Sequence, residues 1–361
     1  MRIALLNLPI DTNYGGNLQR FALIKTLENM GYEVEHIQLR SQSAVKPLLR
    51  RCLSFVKRVL LMTAGRKDVH LFEEQFMREE RKKRMANTDY FYNTYIPHTN
   101  HIFYNRSDIE SFDWSKYDAF LVGSDQVWRP AYAAFIGVEN YFFNFVKDDS
   151  KPKIAYAVSF GEKNTVFSEA LHSQLCALYS KFKAVSVRES IGVDILESNG
   201  MAKPKAIPVL DPTFLLTPEN YGRVIKESKI SEHNNKYVLS YFIVNTPEKD
   251  SILKAKAKEL ELDTVFMSTE SSKDISIPQW LYNFNHADFI VTDSFHGTVF
   301  SILYNKPFKL LSNKLNDESR TANLLHMFDI TDTTNVDWDK VNSLIEKYRK
   351  ESFNFLKSSL S

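Results

Sequence analysis

The stretch ADFIVTDSFHGTVFSILYNKPFKLL, Ala287 to Leu311, decides the fold. Phe289, Ile290 and Val291 form a short apolar run of the kind a strand buried on both faces needs. Asp293 and Ser294 then offer helix-capping side chains. Val299, Phe300, Ile302 and Leu303 follow at helical spacings, and Asn305 can close the helix in the left-handed conformation. Pro307 to Leu311 reads as the next strand. The stretch is one βαβ unit whose first crossing carries Asp293-Ser294-Phe295-His296-Gly297-Thr298. That crossing falls at the carboxyl edge of a parallel sheet, where α/β proteins bind ligands. A helix start there presents N–H donors and a positive dipole end, which suit a phosphate or a carboxylate. Gly297 allows close backbone approach, and His296 can donate to an anion or move a proton near neutral pH. From these residues alone, a cap at Ser294 and a packed ring at His296 stay open as the alternative.

Working outward, the N-terminus opens in the same style. Ile3 to Leu8 reads as a buried strand, and Asp11 to Asn17 is the loop after it. A helix follows with Leu18, Phe21, Ala22, Ile24, Leu27 and Met30 as its apolar stripe and Gly31 as its stop. Tyr32 to Leu39 is the second strand. The loop lacks the Gly-x-Gly-x-x-Gly spacing, so NAD and FAD are disfavoured. Asp118 to Val122 is another strand, and Gly123-Ser124-Asp125-Gln126-Val127-Trp128 leaves it. A carboxylate, an amide and an aromatic ring there form a sugar-reading set, although Trp128 alone reads as core. Ala184 to Val187 ends in Arg188-Glu189, where Arg188 can fork onto an anion or simply pair with Glu189. Asp211-Pro212 closes a strand, with Asp211 mainly a turn residue.

At 361 residues two domains are expected, and a hydrophobic share of 43% can fill both cores. A net charge of +2 gives no reason to invoke nucleic acid. Cys52 and Cys176 are too few for a disulfide framework and lack metal-ligand spacing. No run approaches the ~20 apolar residues of a spanning helix, and the short opening apolar run suits a strand, so a cytoplasmic protein is expected. Residues 44 to 86 interrupt the α/β rhythm. There Arg50, Arg51, Lys57 and Arg58 recur on one helix face, apart from Leu48, Cys52, Phe55, Val59 and Met62. That pattern fits a membrane interface or partner groove, or equally a solvated face packed on its own domain. EEQFMREERKKRM, further on, reads as a solvent-exposed helix.

Five segments in order carry a resemblance: Asn13-Tyr14-Gly15-Gly16-Asn17, Gly123 to Trp128, Val187-Arg188-Glu189, Val209 to Phe214, and Asp293 to Gly297. Together they resemble the polysaccharide pyruvyl transferase family across most of the chain. The resemblance implies two Rossmann-like domains facing across a cleft, as in GT-B glycosyltransferases, with a helical insertion in the first. The boundaries expected are 1–217 for the N-terminal domain (insertion 44–86) and 236–335 for the C-terminal domain (donor loop 293–298). A helix over 336–361 is expected to fold back on the first domain.

The activity implied is transfer of a pyruvyl group from phosphoenolpyruvate to two hydroxyls of a sugar, on a cell-surface polysaccharide or its lipid-linked precursor, as a ketal. Phosphoenolpyruvate is the co-substrate; no metal or resident cofactor is expected. The resemblance assigns Arg188, Ser294, His296, Gly297 and Thr298 to the donor, and Asn17, Gln19, Asp125, Gln126 and Trp128 to the acceptor. His296 is the favoured general acid and Asp125 the favoured base. Ser294 stands where some relatives carry Arg, which leaves one donor contact to come from elsewhere. The alternatives are a GT-B sugar-nucleotide glycosyltransferase and a non-catalytic glycan-binding scaffold, with peripheral contact to the inner membrane surface open for any of them.

Overall fold

The computed structural model describes the chain apart from residues 42–47, 64–65, 67–69, 163–164, 166 and 313–318, and gives only the backbone at 48–53, 56 and 319. Two parallel sheets organise it. The first contains β1 (Arg2–Leu6), β2 (Glu33–Leu39), β3 (His98–Phe103), β4 (Ala119–Asp125), β5 (Lys153–Val158), β6 (Ala184–Val187) and β7 (Ile207–Pro208), in the order β3-β2-β1-β4-β5-β6-β7. The second contains β8 (Tyr237–Phe242), β9 (Asp263–Ser268), β10 (Phe289–Thr292) and β11 (Phe308–Leu310), in the order β11-β10-β8-β9. Every pairing is parallel. The strand order reverses between β1 and β4 in the first sheet and between β8 and β10 in the second. Those reversals make the crevices in which doubly wound sheets bind ligands. This is an α/β protein with two Rossmann-like domains facing across a cleft.

The strands are apolar because both faces are covered: β5 and β10 are buried at every position. The Tyr14–Asn29 helix is buried well beyond its expected stripe. Its Asn13 cap accepts from the Gly16 amide, and Gly31 ends the turn in the left-handed region. Tyr14 leaves the first domain altogether. Its ring stacks on Trp280, 5.6 Å between centroids, and its hydroxyl donates to the Ile275 carbonyl of the second. A single cluster of buried apolar side chains consequently runs from Ile3 through both sheets to Leu360.

Several elements differ from the sequence reading. β3 was not anticipated: HTNHIF is polar because, as an edge strand, it buries only Thr99 and Phe103 fully. The stretch between the two expected domains begins with a helix, Pro218–Lys226, that buries Tyr221 and Val224. Asp211 follows β7 rather than ending it, and caps a short 3-10 turn, Pro212–Leu215. The insertion forms Leu48–Thr63 and then Glu73–Tyr95, which extends past residue 86 to place Phe91 and Tyr92 in the core. The side chains of Leu48, Arg50, Arg51 and Cys52, and the loop expected at 313–317, lie outside the described residues.

The last helix, Trp338–Leu360, lies on the first domain. Arg349 donates to the carbonyls of Phe214 and Leu216, and the Ser352 hydroxyl accepts from the Leu210 amide. Among the described residues no helix is long and apolar enough to cross a membrane.

Candidate functional site

The carboxyl ends of both sheets open into one cavity of about 820 Å³. The loop after β1 supplies Leu8 to Asn13, β4 supplies Asp125 and Gln126, and β8 supplies Tyr241 and Ile243. The β10 crossing adds Ser294, Phe295 and His296, and Arg320 follows β11. The Glu73–Tyr95 helix closes one side with Met77, Arg81, Arg84 and Met85. That helix, expected to be wholly solvent-facing, is a wall of the cleft.

His296 is the hinge of the site. Ser294 caps the Phe295–Leu303 helix, its hydroxyl accepting from the Gly297 amide at 3.3 Å. Ser294 is itself held by the Thr292 hydroxyl, which donates onward to the Tyr241 carbonyl. Thr298 turns inward and donates to the Ser294 carbonyl. The cap therefore fixes His296 in the first turn, where unpaired helix amides accumulate. The ring crosses the cleft and lies on Gly15, where a Cβ would come within 2.0 Å of its Nδ1. No side chain other than hydrogen fits there. Nε2 stands 3.8 Å from Asp211 Oδ2 and has no hydrogen-bond partner among the described residues. Burial lowers the His296 pKa below 6.5, with Asp211 and Asp125 pulling the other way.

Behind the histidine sits a charge cluster. Arg188 donates to Glu189 at 2.8 Å and to Asp211 at 3.2 Å, and its Nη2 faces Asp125 at 3.7 Å. Burial works against the Arg188 charge, but Glu189, Asp125 and Asp211 outweigh it and raise the pKa. Burial likewise works to protonate Asp211. His296, Arg188 and the hydrogen bonds from Thr213 prevail, and its pKa falls below the usual carboxylate value. Asp125 reaches the cleft through a strained turn, with Ser124 at φ 22° and Asp125 at φ 67°. Gln126 is buried at its side, accepts from Arg129, and presses on Gly161, where a Cβ would meet its Oε1 at 2.0 Å.

Nearer the mouth of the cleft, Asp11 meets solvent yet is hemmed in by protein, and that desolvation raises its pKa.

The structure thus brings together His296, Asp125, Gln126 and Ser294 on the cavity, with Gly297 and Thr298 just beneath. Four expectations need correction. Trp128 is fully buried, stacked on Phe142 at 4.5 Å with its indole N–H on the Tyr141 carbonyl, so it offers no face to a sugar. Asn17 is fully buried; it donates to the Asp11 and Asn13 carbonyls and accepts from Arg20, which builds the loop rather than the cavity. Gln19 is buried in the helix and donates to the Gly16 carbonyl. Arg188, expected to hold a donor anion, spends Nε and Nη1 on Glu189 and Asp211, while Nη2 faces Asp125 without a hydrogen bond, and the residue is 3% exposed. Asp211, read mainly as a turn residue, does cap the turn, yet its other oxygen faces His296. Sequence reasoning missed Asp11 and Arg320 as cavity residues. For Asp11 a signal existed, its place in the loop after the first strand.

The family model for polysaccharide pyruvyl transferase matches residues 13–314. No curated protein matches the chain. Among solved structures, the UDP-GlcNAc 2-epimerase of Methanocaldococcus jannaschii is similar at 10% identity, with 97% of this chain and 93% of that one covered and a TM-score of 0.49. The UDP-GlcNAc 2-epimerase of Neisseria meningitidis bound to UDP-GlcNAc is similar at 11% identity, covering 100% and 99%, with a TM-score of 0.47. Anabaena Alr3699/HepE in complex with UDP and glucose has 11% identity, the same coverage and a TM-score of 0.46. At these scores no residue or activity is carried across.

Proposed function

The chain belongs to the polysaccharide pyruvyl transferase family, and from that premise we propose that it moves a pyruvyl group from phosphoenolpyruvate onto two hydroxyls of a glycan acceptor as a ketal. The observation that carries this reading is His296, a buried imidazole with an unpartnered Nε2 at a helix start on the cleft. Such a group can give a proton to the methylene carbon of the donor. In the sequence we envisage, Asp125 accepts the proton of the first sugar hydroxyl as its oxygen bonds to C2 of the donor, while His296 protonates C3 to a methyl group. The C2–O bond to phosphate then breaks, and the second hydroxyl closes the ketal. Of the two hydroxyl protons released, one is matched by the new methyl C–H and the other leaves with phosphate.

Asp211 and Arg188 position His296 and Asp125 in this scheme. Because burial keeps the resting imidazole neutral near pH 7, arrival of the anionic donor supplies the field that favours its protonation. The test is phosphate release from phosphoenolpyruvate with and without a glycan acceptor. Acceptor-dependent release supports the reading, whereas turnover of a sugar nucleotide instead would replace it with a glycosyltransferase.

The same proposal extends to the acceptor's location. The Leu48–Thr63 helix leaves Phe55, Val59, Leu60 and Met62 exposed, and Phe72 and Met77 continue that surface to the cleft. We read it as a contact with an anionic membrane surface that presents a lipid-linked acceptor. The basic residues of this stretch, Arg50, Arg51, Lys57 and Arg58, would carry the attraction, at about 1 kcal/mol each. Flotation of the wild type with anionic vesicles, lost on changing those four to Gln, supports it. Equal flotation of the two proteins rejects it.

A further inference from the structure

Buried charges in folded proteins are paired, because an isolated ion out of water costs several kcal/mol. This chain follows the rule almost throughout. Lys153 pairs with Asp149, Glu139 with Arg106, Asp293 with Lys249, and Arg188 with three carboxylates. Arg20 rests on amide and carbonyl oxygens, and Arg349 on carbonyl oxygens and Glu346. Arg320 does not follow it. It is 8% exposed, its Nε has no partner, and it makes no ion pair or hydrogen bond among the described residues. Its one contact of note is the ring of Phe295, 5.7 Å from its guanidinium carbon, which it shares with Arg188 at 4.5 Å. It lines the large cavity beside Ser294 and His296, and also the small one behind it.

Charge arithmetic sharpens the point. Arg188 counts +1 against Asp125, Glu189 and Asp211 at −3, so the cluster behind His296 sums to −2 with the imidazole neutral. A phosphate and a carboxylate entering there meet repulsion unless another cation faces them. Ser294 cannot supply one. Arg81 and Arg84 line the same cavity from the Glu73–Tyr95 helix, but Arg84 is exposed and Arg81 donates to Ser41, so of the three only Arg320 is a buried cation. We infer that Arg320 is the anion-binding residue of the donor end, taking the place of the cation that position 294 lacks. It lies beyond residue 314, where the family match stops. The planar guanidinium, with its free edge on the cleft and its face on Phe295, suits a phosphate or carboxylate held by two parallel N–H donors.

This inference rests on the pyruvyl-transfer reading for the ligand's name, but not for its charge. The experiment therefore uses inorganic phosphate and phosphoenolpyruvate as separate probes of thermal stabilisation, on wild type, Arg320→Gln and Arg320→Lys. Arg320→Gln should weaken apparent affinity for both probes by tenfold or more, and Arg320→Lys should recover only part of it. Steady-state turnover should show the loss in KM for phosphoenolpyruvate more than in kcat. Wild-type affinities retained in a folded Arg320→Gln protein would overturn the inference, as would a wild type that neither anion stabilises. Arg320-dependent phosphate binding without any turnover of phosphoenolpyruvate would keep the anion subsite and sink the pyruvyl-transfer reading instead.

Discussion

The two strand-to-helix crossings that meet in the cleft use one backbone device for opposite ends. After β1, Asn13 caps a helix by accepting from Gly16; after β10, Ser294 caps one by accepting from Gly297. Each cap is three residues before the amide it holds. What stands in between differs. The first crossing places Gly15 where a side chain would be, and the second places His296, whose ring fills that space. One loop provides an absence and the other the imidazole that fills it. Capping residues fix where a helix starts, while the residues between cap and anchor decide what the start is for.

The strongest way to break this comparison is at the filled side. His296→Ala should lower acceptor-dependent phosphate release by about 10³-fold with the fold retained; near-normal turnover would remove the imidazole from the chemistry. Next comes the empty side. Gly15→Ala puts a methyl 2.0 Å from Nδ1 and should cost about 10²-fold in kcat by displacing the ring, with an unchanged circular dichroism spectrum.

A subtler disturbance is Asp211→Asn. Removing a carboxylate that supports the imidazolium should lower the His296 pKa further, and so reduce turnover at pH 7 with the activity profile moved toward acid. The same change leaves Arg188 short of one buried partner, and should destabilise the fold by about 3 kcal/mol in denaturant titration.

Stability itself should depend on pH. Burial lowers the pKa of His296, and lowers that of His36 well below 6.5 with Arg20, His98 and Arg40 adding to the effect. Both folded values lie under the unfolded one, so the unfolded chain binds more protons. Stability is then full above about pH 6.5 and declines as pH falls toward the folded values. His36→Asn should show a shallower decline; an identical slope would exclude His36 as a contributor. The smallest effect is expected at Gly16→Ala, where the nearest atom to a new Cβ is 3.6 Å away. Activity should stay within twofold and stability rise by up to about 1 kcal/mol. A large loss there would show that the contrast with Gly15 is not one of space.

Much of this was legible in the sequence where local rules govern. The β10 crossing, its Ser294 cap, the Asn305 close at φ 53° and the Pro247–Leu260 helix all follow from caps, breakers and apolar spacing. What escaped depends on partners distant in the chain. Trp128 looks the same in sequence whether its neighbour is a sugar or Phe142. Arg188 reads as a free fork until Asp211 arrives from 23 residues on. β3 hides because an edge strand with one buried face segment carries no apolar run. Arg320 follows a polar segment and opens a helix, which is where solvated arginines usually stand, yet it is buried near the Phe295 ring.

The final helix carries a mechanical consequence. The chain passes from the first sheet to the second between β7 and β8 and returns to the first through Trp338–Leu360, so two straps bind the halves like the paired hinges of a door. Any swing that widens the mouth lifts Tyr14 off Trp280 and the His296 ring off Gly15. The imidazole that we propose as proton carrier is seated on Gly15 only with the halves in this arrangement.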